Sequence, residues 1–185
     1  MAHVIEHAST GRAKCRGCGT RIDKDELRFG ERRPNAFGQG EMTLWFHLPC
    51  AAYKRPEPFR EMLDGVAAGE TSADELQAAQ ALRPAAEFGL AHRRVPRIDK
   101  VDRAPTGRGR CRQCRELIDK DGWRIGLVFF EEHRFQPSGF IHAACAEAYF
   151  ETTDVLDRIR HFNPELGEAE LEAIRAALQP GGDAD

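Results

Sequence analysis

The chain has 185 residues, with 27 Lys and Arg against 30 Asp and Glu and a formal net charge of −3. That length suits one domain or two small ones, and 41% hydrophobic residues bury only a modest core. The longest apolar run, Gly126-Leu127-Val128-Phe129-Phe130, is strand-sized, and Met1 to His7 lacks the basic and apolar regions of a leader, so membrane and secreted classes are excluded.

In chain order, residues 1–91 read as an irregular, strand-containing front followed by a helical back. The front carries Thr10-Gly11-Arg12, then Cys15-x2-Cys18, then Ile22-Asp23-Lys24-Asp25. A Gly-rich segment from Phe37 to Met42 precedes Trp45-Phe46-His47-x2-Cys50. Ser72-Ala73-Asp74-Glu75 has the form of a capping box, which predicts a helix running to Leu82 and stopped by Pro84. The Pro- and Arg-containing stretch from His92 to Arg103 is the predicted seam. Residues 92–185 follow the same plan. Asn163-Pro164 introduces a helix from Glu168 to Leu178, with Leu171, Ile174 and Leu178 on one face, and Pro180-Gly181-Gly182 ends it.

The two halves are copies. A shift of 96 residues lays Thr10-Gly11-Arg12 on Thr106-Gly107-Arg108, and Cys15 and Cys18 on Cys111 and Cys114. It also lays Ile22-Asp23-Lys24-Asp25 on Ile118-Asp119-Lys120-Asp121, and Arg28 on Arg124. After a one-residue deletion the shift is 95, pairing His47 and Cys50 with His142 and Cys145.

The six cysteines divide three to each copy with none left over. Each copy has Cys-x2-Cys, then 28 or 27 residues, then His-x2-Cys. Zinc takes four tetrahedral thiolate and imidazole ligands, and two short knuckles bring such ligands together with little chain strain. The predicted sets are Cys15, Cys18, His47, Cys50 and Cys111, Cys114, His142, Cys145. Disulfide pairing would strand one cysteine in each copy, and a redox Cys-x-x-Cys leaves the matched His-x-x-Cys unexplained. A catalytic zinc keeps a position open, whereas three thiolates and a histidine close the shell, so these are structural sites. Units this small need such a staple, so the zinc-free chain is expected to be partly or wholly unfolded. The fold class is a small zinc-stabilised α+β arrangement of two tandem finger units, 1–91 and 92–185.

Gly11-Arg12-Ala13-Lys14-Cys15, Ile22-Asp23-Lys24-Asp25-Glu26-Leu27-Arg28 and Trp45-Phe46-His47-Leu48-Pro49-Cys50 resemble the zinc finger of poly(ADP-ribose) polymerases, also found at the front of a eukaryotic DNA ligase. Gly107-Arg108-Gly109-Arg110-Cys111, Ile118-Asp119-Lys120-Asp121-Gly122-Trp123-Arg124 and Phe140-Ile141-His142-x2-Cys145 resemble a second copy. The resemblance implies binding to DNA strand breaks, nicks and ends by shape more than by sequence, with repair enzymes as further partners. It also implies that Arg28 and Arg124 face the DNA backbone. An apolar pair, Phe37 and Met42, would stack on the base pair exposed at a break, with Phe135 and Pro137 as the second copy's counterparts. Phe37 packing beneath its own loop is the competing reading.

Arg12 and Arg108 sit three residues before the first ligand, where a metal knuckle holds a guanidinium rigidly for bidentate phosphate binding. Each alone could be a solvated arginine, but both recur at one offset. There is no room for an ADP-ribosyl transferase domain, and Lys120-Asp121-Gly122 lacks the intervening residue of a ligase nucleophile motif. No enzyme is expected. The alternative to break binding is a zinc-stapled protein-interaction module that uses the acidic helices.

The net charge is a sum of opposites. Residues 1–60 and 92–150 each carry +4, whereas 61–91 carry −5 and 151–185 carry −6. A slightly acidic total therefore leaves room for nucleic acid at two basic fronts. Abundant Arg and Ala suggest a GC-rich bacterial source and a nucleoid-associated cytoplasmic setting; a eukaryotic source would mean the nucleus.

Overall fold

The computed structural model describes residues 2–35, 38–65 and 71–179. The chain divides into two compact units, Met1–Ala91 and His92–Asp185.

In the first unit β1 (Val4–His7), β2 (Leu27–Pro34) and β3 (Glu41–His47) form an antiparallel sheet in that order. Its strands alternate. Phe29, Leu44 and Phe46 point to one face and are fully buried, with Phe59 set edge-on to Phe29 at 5.5 Å between centroids. Arg28, Gly30, Trp45 and His47 share the other face, in the pairs Arg28↔His47 and Gly30↔Trp45. A Cβ on Gly30 would meet Trp45 Cζ3 at 2.7 Å, so glycine lets the indole lie flat across the strand. Four helices follow: α1 (Leu48–Lys54), α2 (Pro56–Gly65), α3 (Ala73–Gln80) and α4 (Arg83–Ala91).

The capping box at α3 forms as expected. Glu75 N–H donates to Ser72 Oγ at 3.3 Å, and Ser72 N–H donates to the Glu75 carboxylate at 2.8 Å. Pro84 behaves differently from the expectation. It does not terminate the helical region but lies in the first turn of α4, where the missing N–H costs nothing. Helix α1 is too short to display an apolar period, whereas α2 sets Phe59, Met62 and Leu63 on one face at i, i+3 and i+4. They are short and carry Pro49, Pro56 and Pro58 in their first turns.

The second unit begins with a short 3-10 turn at Val95–Arg97 and β4 (Ile98–Arg103), so the stretch expected as a seam is the first strand of a sheet. The antiparallel order is β4-β5-β6, with β5 at Trp123–Glu131 and β6 at Arg134–His142. The one-residue shortening of the repeat is visible here. The six residues between the ends of β2 and β3 are replaced by a two-residue turn, Glu132-His133, with φ of 47° and 66°. Both positive φ values match the twist of a tight hairpin. The strands lengthen in exchange, and a bulge between Gly126 and Val128 gives β6 one residue more than β5.

A 3-10 turn at Ala143–Cys145 leads to α5 (Ala146–Phe150), α6 (Leu156–Phe162) and α7 (Glu168–Ala177). Helix α7 buries Leu171 and Ile174 as its pattern predicts. Asn163, expected only as a helix lead-in, is buried and fully used. Its Nδ2 donates to the carbonyls of Ile159 (2.8 Å) and Asp99 (3.3 Å), and its Oδ1 accepts from Val101 N–H (2.9 Å), fastening α6 to β4.

Candidate metal centres and nucleic-acid interface

Each knuckle is built by the backbone before its side chains matter. In the first, Lys14 and Arg21 form a short antiparallel bridge, Cys15 N–H donates to Thr20 O (2.8 Å), and Gly19 N–H donates back to Cys15 O (2.9 Å). The reversal requires a left-handed residue, supplied by Gly19 at φ 78°. In the second, Arg110 bridges Leu117, and Arg115 adopts φ 71° at the position of Gly19. Each knuckle is tied to its sheet by one further bond, Arg16 N–H to Trp45 O (2.9 Å) and Arg112 N–H to Phe140 O (2.8 Å). The last two ligands follow from the strand-to-helix corner. His47 and His142 end β3 and β6, and Cys50 and Cys145 lie within the next turn.

The four donor atoms of each set, Cys15, Cys18, His47, Cys50 and Cys111, Cys114, His142, Cys145, lie within 4.8 Å of one another. His47 Nδ1 is 3.4 Å from Cys18 Sγ and 3.8 Å from Cys50 Sγ; His142 Nδ1 is 3.4 and 3.7 Å from Cys114 and Cys145. A tetrahedral zinc with Zn–S of about 2.3 Å and Zn–N of about 2.0–2.1 Å needs ligand edges of about 3.5–3.8 Å. The donors fit. The opposite ring nitrogens are held by backbone: His47 Nε2 faces Arg21 O at 3.2 Å, and His142 Nε2 faces Leu117 O at 2.9 Å. A proton on Nε2 fixes the tautomer that leaves Nδ1 free to ligate. Backbone N–H groups point at the first sulfur of each set, from Gly17 and His47 to Cys15, and from Gln113 and His142 to Cys111, at 3.3–3.4 Å.

Donors packed this closely contend for protons. Hydrogen bonds to Cys15 and then Cys18 raise His47 to about 11. Burial, and then the charge of Cys111, push Cys145 to about 12. A divalent cation removes that contest by binding the deprotonated forms. Two zinc ions, one in each Cys3His set, act as internal cross-links and leave no open position for chemistry.

The arginines fall into two kinds. Arg12 and Arg108 are exposed, each on the turn leading into a first ligand, and neither has an ion-pair partner among the described residues. Arg28 and Arg124 are held down. The Arg28 guanidinium lies 3.6 Å from the Trp45 ring centroid and donates from Nη2 to Glu6 at 2.6 Å. Arg124 lies 3.8 Å from the Phe140 centroid and grips Asp102 with Nε at 2.7 Å and Nη2 at 2.9 Å. The hydrogen bonds to Asp102 raise Arg124 above its ordinary value. Glu6 and Asp102 are themselves related by the 96-residue shift, a signal present in the sequence that the motif reading passed over.

The apolar candidates are placed unevenly. Phe37 lies outside the described residues. Met42 is half-buried in β3 opposite Arg33. Phe135 is on β6 rather than on a loop, with its ring 5.0 Å from Phe130 near the hairpin turn, and Pro137 is likewise within the strand. Shortening the connection to two residues placed them in the strand.

Comparison with known proteins bears on this arrangement. Residues 6–87 match the family described as "Poly(ADP-ribose) polymerase and DNA-Ligase Zn-finger region". A poly [ADP-ribose] polymerase of Drosophila melanogaster is 27% identical over 147 residues, covering 71% of this chain and 14% of that protein. Poly [ADP-ribose] polymerase 1 of Caenorhabditis elegans is 40% identical over 50 residues, 27% of this chain and 5% of that protein. The polynucleotide 3'-phosphatase ZDP of Arabidopsis thaliana is 25% identical over 179 residues, 86% of this chain and 26% of that protein. The chain thus spans a small fraction of the length of these relatives. Residues 6–87 of the first unit are similar to that zinc-finger family, and the second unit repeats the ligand set with matching spacing. No helix among the described residues is long and apolar enough to cross a membrane.

Proposed function

We propose that this chain binds DNA at strand breaks, nicks and ends, as a binding protein rather than an enzyme, in the service of DNA repair. The observation that carries the reading is the repetition of an exposed arginine, Arg12 and Arg108, on a metal-pinned turn at one offset. A guanidinium held on a rigid turn loses little freedom when it meets a phosphate, which is where nucleic-acid affinity mainly arises. The zinc-finger match over residues 6–87 and the repair-related names among the relatives support the same reading.

Recognition of a break needs a second element, because phosphates occur everywhere on duplex DNA. Phe37 and Met42 supply it in this reading, by stacking on the base pair left uncovered at the discontinuity, worth about 1–3 kcal/mol per base. In the second unit the tight Glu132-His133 turn offers no comparable loop, so that unit contributes phosphate contacts through Arg108 and stacks less. Basic fronts of only +4 each favour salt-sensitive binding of moderate strength. Enzymatic footprinting on a duplex with one nick tests the proposal: zinc-loaded protein should protect a patch centred on the nick. Protection spread evenly along the duplex, or none, would refute it.

A further inference from the structure

We infer that Glu6 and Asp102 are carboxylate latches over the phosphate-binding arginines Arg28 and Arg124, and that a DNA phosphate exchanges with them on binding. This inference rests on the break-binding reading and deepens it. The guanidinium of each arginine has one face covered by an aromatic ring, at 3.6 Å on Trp45 and 3.8 Å on Phe140. Its donor edge is covered by a carboxylate, at 2.6 Å from Glu6 and at 2.7 and 2.9 Å from Asp102. The arginine side chains are only 8% and 14% exposed, whereas Glu6 and Asp102 are 46% and 49% exposed. The carboxylate therefore stands between each guanidinium and solvent.

A carboxylate and a phosphate present oxygens to guanidinium in the same forked geometry, so one can replace the other without moving the arginine. The ring beneath keeps the cation in place after the acid swings out. In the first unit the latch is the less complete one, because Glu6 engages Nη2 while Arg28 Nε is left buried without a hydrogen-bond partner. In the second unit Asp102 already occupies both Nε and Nη2, so its latch is the tighter one. The recurrence of acid, arginine and ring at matched positions in both units argues that all three belong together. A latch of this kind lowers affinity for any phosphate that arrives without the stacking contact available at a break.

The test compares Glu6→Gln and Asp102→Asn with the parent protein, zinc-loaded, on nicked and on closed circular DNA at one salt concentration. Both variants should bind intact DNA at least threefold more tightly and so discriminate less between the two substrates. Glu116→Gln, an exposed acid beside the second knuckle, controls for the added net charge. An equal gain from Glu116→Gln, or unchanged or weaker binding by the latch variants, overturns the inference while leaving break binding intact. If the parent protein binds no DNA, both fall. Should a variant misfold, the parent decides. Nitrogen-15 NMR should show the Arg124 Nε–H signal, and carbon-13 NMR the Asp102 carboxylate, shifting on addition of nicked DNA. No shift of either overturns the latch.

Discussion

Glu31, wholly buried, is gripped by Arg55 through two hydrogen bonds of 2.6 and 2.8 Å, and the repeat places Leu127 and Phe150, both buried, at the same two positions of the second unit. One scaffold thus accepts either an ion pair or an apolar pair between its sheet and the end of the first helical segment. Removing one partner of a buried pair strands the other charge, at a cost of about 3–5 kcal/mol, whereas replacing both by apolar groups is often neutral or better. Arg55→Ala should therefore destabilise the first unit, by less than that amount because Arg33 Nη1 remains 3.6 Å from Glu31. Glu31→Leu with Arg55→Phe should recover most of it, as read by denaturant unfolding at fixed zinc.

The zinc ions hold both units together. Chelation should release two equivalents of zinc and collapse the near-ultraviolet circular dichroism, since each knuckle is closed by metal rather than by a large core. Acid should do the same, because protons compete for thiolate and imidazole. Cys18→Ala should abolish one equivalent and leave the second bound. Full retention of structure in the chelated protein would contradict the account.

Asn163 predicts a different kind of loss. Its amide satisfies Val101 N–H and the Ile159 and Asp99 carbonyls, all within the second unit. Asn163→Leu keeps the volume but leaves buried backbone groups unsatisfied, at about 1–3 kcal/mol each. The midpoint of the second unit's unfolding should fall and its zinc stoichiometry should not. An unchanged midpoint would mean that water takes over these bonds.

Arg12→Ala and Arg108→Ala should weaken binding to nicked DNA and flatten its dependence on salt, each removing about one phosphate contact. Zinc content and melting should stay at parent values, since neither side chain has an ion-pair partner among the described residues. A finger that loses zinc would assign these arginines to the fold instead.

The metal ligands were legible in the sequence because a knuckle is a local object: x2 spacing, repeated with a His-x2-Cys, leaves few alternatives. Helices α3 and α7 were legible for the same reason, through a cap and a periodic face. The short helices α1 and α5 have too few residues to display a period and are fixed by packing, whereas α2 sets Phe59, Met62 and Leu63 on one face at i, i+3 and i+4. The carboxylate partners of Arg28 and Arg124 escaped because they lie 22 residues away on a neighbouring strand. Only strand register brings Glu6 to Arg28 and Asp102 to Arg124. The strand position of Phe135 was not legible because the second copy replaces the connecting loop by a two-residue turn.

Break recognition is tested most directly by competition between a singly nicked circle and its covalently closed form for zinc-loaded protein at moderate salt. The two substrates share length, sequence and phosphate count, and differ by one discontinuity. Preference for the nicked circle by about tenfold or more is the predicted result, being the worth of an added stacking contact. Equal affinity for both circles, or no binding even at low salt, would contradict the account and leave the chain as a zinc-stapled interaction module.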